Sequence, residues 1–112
     1  MIINERADRH SRVIEAGRRM LTAARTAPKA KGADLIECAL VEGDDLKKTS
    51  DEMIRLHDET GRPVYLRDSA NILAADAILV IATRLCKMGL NCGHCGFPTC
   101  DEKPESAPCA VN

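Results

Sequence analysis

Cys92-Gly93-His94-Cys95-Gly96-Phe97-Pro98-Thr99-Cys100 sets three thiols at C-x₂-C-x₄-C spacing, and Cys109 follows eight residues after Cys100. Thiolates bind iron and zinc strongly, and a C-x₂-C loop can turn two sulfurs toward one centre. Gly93 and Gly96 flank Cys95, where φ > 0 and close backbone approach are easiest for glycine. The spacing is unlike the paired knuckles of many zinc sites. The leading expectation is therefore a [4Fe–4S] cluster on Cys92, Cys95, Cys100 and Cys109, with Phe97 and Pro98 shielding it. Structural zinc is the alternative metal, and a redox-active dithiol at Cys92 and Cys95 is the third reading. Dithiol chemistry of the thioredoxin type expects that spacing at a helix start after a strand, without two more cysteines nearby. Cys86 competes with Cys109 as fourth ligand. Cys38 falls among apolar residues of a strand and is read as core.

A second group is basic. Arg25, Lys29 and Lys31 cluster around Pro28 where a helix ends and a strand is about to begin. Arg offers a bidentate fork to phosphate or carboxylate and Lys adds point charges, but basic residues also answer the dipole at a helix C-terminus. His10, His57 and His94 lie on separate elements, so spacing supports no hydrolase arrangement.

The elements that must position these groups are legible in the pattern. Val13, Ile14, Gly17, Met20, Leu21 and Ala24 recur at helical spacing and predict a helix from about Glu5 or Asp8 to Ala27, opposite an Arg-rich face. Asp34 to Val41 alternates as a strand, with Ile36, Cys38 and Leu40 on one face. Gly43 and Asp44 open a second helix that Gly61 and Pro63 close. Tyr65 begins an extended or turning segment, Asp68 caps a short helix through Ala75 that packs by Ile72 and Leu73, and Ala77–Ala82 is an apolar strand of the kind buried on both faces. Glycines and prolines then punctuate about thirty irregular residues that something must organise.

The expected fold is α/β or α+β, two or more strands packed by helices, with residues 1–84 as core and 85–112 as the cysteine-rich segment. Two strands and three helices make an incomplete layer, so the polypeptide is expected to continue past residue 112 or to be completed by another subunit, including a homo-oligomer. With 112 residues, 45% hydrophobic but only 2% aromatic, a core must be built from small aliphatic side chains. Residues 1–31 carry eight basic and three acidic side chains, net +5, whereas residues 32–112 carry eight basic and fourteen acidic, net −6. That balance, with no aromatics near the basic helix, argues against nucleic-acid binding. No stretch reads as a signal peptide or a membrane span. A cytoplasmic setting follows, in which six cysteines are better explained by ligation or chemistry than by disulfides.

The cysteine motif resembles the C-G-x-C-G-[FY]-x-x-C motif of small four-iron–four-sulfur domains, such as those in corrinoid iron–sulfur proteins and electron-transport complex subunits, although their fourth cysteine comes considerably later than Cys109. Taken with residues 23–34, Arg67-Asp68-Ser69-Ala70-Asn71 and Pro108-Cys109-Ala110, it resembles an uncharacterised family of prokaryotic proteins containing a ferredoxin domain, whose members continue well past the end of this chain. The resemblance implies an iron–sulfur protein in electron transfer with a redox partner protein. Arg25-Thr26-Ala27-Pro28 also looks like the Arg-x-Ala-Pro region of nitroreductase-like flavoproteins, without the polar stretch that usually follows there. That likeness implies a flavin-dependent oxidoreductase, with Arg25, Lys29 and Lys31 as candidates for FMN phosphate contacts and Asn71 for a polar contact from the short helix.

Overall fold

The computed structural model describes residues 1–111. Among them are three α-helices, one turn of 3₁₀-helix and two strands. Helix α1 spans Glu5–Thr26. Asn4 caps it, its Oδ1 accepting the Ala7 N–H at 3.3 Å, which satisfies one of the free amides of the first turn. Its Arg-rich face is paired with its own acidic residues one turn away: Arg9 with Glu5, Arg12 with Asp8, and Arg19 with Glu15. Such exposed pairs support a helix only weakly. Ile14 and Gly17 are buried, whereas Met20, expected in the apolar stripe, is exposed.

Strand β1 covers Ile36–Glu42, helix α2 Asp44–Thr60, helix α3 Pro63–Leu73 and strand β2 Ala77–Thr83. The two strands form a small antiparallel sheet, with the Arg84 N–H after β2 bonded to the Leu35 carbonyl before β1. The result is an α+β fold. In β1 the alternation holds, with Ile36, Cys38 and Leu40 half-buried and Glu37 and Ala39 exposed. Gly61 ends α2 at φ 71°, and its N–H reaches the His57 carbonyl at 2.7 Å.

Two expectations fail here. Tyr65 is inside α3, which begins at Pro63 and not at Asp68. A proline in the first turn has φ already set and gives up an N–H that would have no helical partner, and Asp68 instead pairs with Arg67 at 2.8 Å. Ile72 is half-buried but Leu73 is exposed. Strand β2 is not dry on both faces either: Val80 and Ile81 are 41% and 53% exposed. A two-stranded sheet lacks the flanking layers that bury a continuous apolar strand.

The chain divides into two compact units, one of residues 1–22 and 39–80, the other of residues 23–38 and 81–112. In the first unit, α2 packs on α3 through small residues. Ser50 is fully buried and donates to the Ser69 carbonyl at 2.8 Å. On α1, Gly17 faces Leu40, whose Cδ1 would lie 2.6 Å from an added Cβ. Replacing Gly17 by Val should therefore cost about 1–3 kcal/mol through overpacking, measured by urea unfolding.

His10 on α1 bridges the chain beside both strands, its Nε2 3.2 Å from Glu42 and its Nδ1 3.2 Å from Asp76. Hydrogen bonding to Asp76 raises its pKa, with a further contribution from Glu42. A folded-state pKa raised above the unfolded value of about 6.5 stabilises most below that value, and the stabilisation fades as pH rises through the folded-state pKa. Unfolding midpoints measured from about pH 5.5 to about pH 8.5 should fall across this window, and His10→Gln should remove that part of the slope.

Candidate functional site

The second unit carries both groups of candidate residues except Asn71. Past β2 the chain has no regular element among the described residues; turns hold it. Gly96 N–H bonds the Gly93 carbonyl at 3.0 Å, Lys103 N–H the Cys100 carbonyl at 3.3 Å, and Ala107 N–H the Pro104 carbonyl at 3.0 Å. Gly93 and Gly96 have φ of 75° and 89°, the conformation for which glycine is suited. Asn91 adopts φ 48° and makes a reciprocal clasp. Its N–H donates to Cys100 Sγ at 3.2 Å, and its Oδ1 accepts the Cys100 N–H at 2.8 Å.

Lys103 is only 3% exposed, yet it is satisfied: its Nζ donates to the carbonyls of Ala107 at 2.6 Å and Pro104 at 3.2 Å. A buried ammonium without such acceptors would be strongly unfavourable. Sequence reasoning missed this residue. A lysine among prolines and turns gives no spacing signal.

Cys92, Cys95, Cys100 and Cys109 all line one pocket, together with Phe97, Met88 and Val111. Cys92 is exposed and the other three are half-buried; Cys86 is exposed and lines a different hollow, and Cys38 lies on β1. All six thiols are unpaired. Sharing a lining is a weaker relation than converging on one point. Among the described residues, no group of three or more His, Cys, Asp or Glu side chains is placed to hold a metal ion. The space between the cysteines is about 10 Å³, room for a single water at most. The expected [4Fe–4S] cluster and the alternative zinc ion are therefore corrected, and with them the iron–sulfur and metal-binding reading of the motif.

The basic segment is corrected too. Arg25 is bound to Asp34 at 2.8 Å and to the Ile36 carbonyl at 3.1 Å. This hydrogen bond holds the Asp34 carboxyl below the usual carboxylate range and raises the Arg25 pKa. Lys29 Nζ donates to three carbonyls, of Ala24, Arg25 and Ala27, at 2.6, 2.7 and 2.6 Å. It closes the C-terminal end of α1, where the carbonyls lack helical partners and the dipole favours a cation. Lys31 Nζ binds the Met88 carbonyl at 3.0 Å. Asn71 lies on α3 in the other unit, beside Asp68. The cations expected to grip FMN phosphate are engaged with the chain itself, so no FMN site is formed.

The chain matches no protein-family model. No solved structure matches it. It is 36% identical over 103 residues to an uncharacterized protein of Archaeoglobus fulgidus, an alignment that takes in 91% of this chain and 55% of that protein. The chain thus spans about half the length of the curated relative it matches. No helix among the described residues is long and apolar enough to cross a membrane.

The clasp between Asn91 and Cys100 is open to a direct test. Asn91→Ala removes the acceptor and strains a positive φ, a loss of about 1 kcal/mol. Cys100 should then alkylate several-fold faster relative to Cys109, as followed by mass spectrometry, while Asn91→Gly, which tolerates the backbone conformation, should show a smaller change.

Proposed function

We propose that this protein handles electrons through thiol–disulfide exchange at its four-cysteine pocket, with Cys92 and Cys95 as the working pair. The observation that carries this reading is the tight turn between Cys92 and Cys95, where the Gly96 N–H bonds the Gly93 carbonyl at 3.0 Å, with Cys92 exposed and Cys95 half-buried.

The thiolate is the nucleophile in such exchange. Cys92 attacks one sulfur of a disulfide on a redox partner protein; that S–S bond breaks and one partner thiol leaves. Cys95 then attacks the mixed disulfide at Cys92, releases the second partner thiol and closes a Cys92–Cys95 disulfide. Two electrons and two protons have passed to the partner. Gly93 and Gly96 give the loop the freedom to bring the two sulfurs together, and Lys103 holds the following turn in place. A reducing cytoplasm would return the pair to dithiol.

The test is stepwise oxidation in glutathione buffers followed by alkylation and peptide mapping of anaerobically purified protein. The expected result is reversible protection of Cys92 and Cys95 together at one midpoint potential, lost in Cys92→Ser and in Cys95→Ser. Persistence of all four free thiols across the range would overturn the reading. So would stoichiometric iron with acid-labile sulfide.

A further inference from the structure

Within the second unit a separate cavity of about 310 Å³ opens beside the end of α1, a volume at the lower end of small-molecule sites. Ala24, Ala27, Ala30 and Ala33 line it, so methyl groups stand where larger side chains would fill the space. The cavity is open to solvent, so an apolar occupant would displace water from these methyl groups. The one cation on the lining, Lys29, has its ammonium bound to three carbonyls. Ile81, also on the lining, is 53% exposed and offers apolar surface for an occupant to cover. Met88, 6% exposed and fixed through its carbonyl by Lys31, also lines it.

From this we infer a binding site for a small, uncharged, largely apolar molecule. The charge state follows from the lining, since an anion would find no available cation there and a cation no carboxylate. The site is distinct from the cysteine pocket, although Met88 and Val111 line both, and the inference stands whether or not the thiols cycle.

The experiment is a titration of the fully reduced protein with prodan, an uncharged naphthalene dye, beside anilinonaphthalene sulfonate, its anionic counterpart. Saturable binding of prodan with blue-shifted emission is expected, and Ala30→Leu, which fills the cavity, should weaken it by about tenfold. Because a filled variant can misfold, the unsubstituted protein supplies a second readout: the methyl resonances of Ala27, Ala30 and Ile81 should move on adding prodan. Unmoved methyls, unchanged affinity in a folded Ala30→Leu protein, or equal binding of the sulfonate dye at those methyls would each overturn the inference.

Discussion

Backbone carbonyls held by lysine ammoniums are the constraint on which the irregular half of this protein depends. Lys29 gathers three carbonyls where α1 ends, Lys31 ties the turn after it to Met88, and Lys103 joins Pro104 and Ala107. With two aromatic residues in the chain, side-chain packing cannot organise so long an unstructured segment. Each ammonium supplies up to three donors to oxygens that turns leave unpaired. The cysteine pocket and the apolar cavity both depend on this arrangement, because their common wall at Met88 is fixed by one of these contacts.

The same economy runs through the first unit. Ser50, Ser69 and Gly17 occupy contact positions, so helices approach closely and little apolar area is buried by any one side chain. Among the described residues only Ile14, Leu46 and Met88 are apolar and buried. Stability then rests on backbone hydrogen bonds, a few buried hydroxyls and ionic bridges such as that at His10, each contributing modestly.

What the sequence disclosed depended on whether the deciding signal was local. The extents of α1 and α2 follow from apolar spacing, from Gly61 and from Pro28, all within a turn of the boundary they set. The alternation of Ile36, Cys38 and Leu40 placed β1 nearly at its observed limits. For α3 the local cue misled, because Asp68 resembled a cap while Pro63 in fact starts the helix. The burial of β2 was misjudged because it depends on layers that the strand's own residues do not encode. At the site, the cysteine spacing was visible but not the size of the space it encloses. The basic cluster was read for its charges, whereas its partners were carbonyl oxygens, which every sequence has and no sequence displays.

Strand β2 carries a consequence for the protein in concentrated solution. Each strand of the sheet has one neighbour among the described residues, so each presents a row of unpaired amides and carbonyls along its other edge. On β2 that row accompanies Val80 and Ile81, both exposed, with no charged residue within Ala77–Thr83 to discourage another chain from adding a strand. The segment has the composition of an aggregation-prone stretch: β-branched, apolar, free of proline and without charge. The same seven residues that complete the sheet thus combine an edge position with the composition that backbone pairing favours.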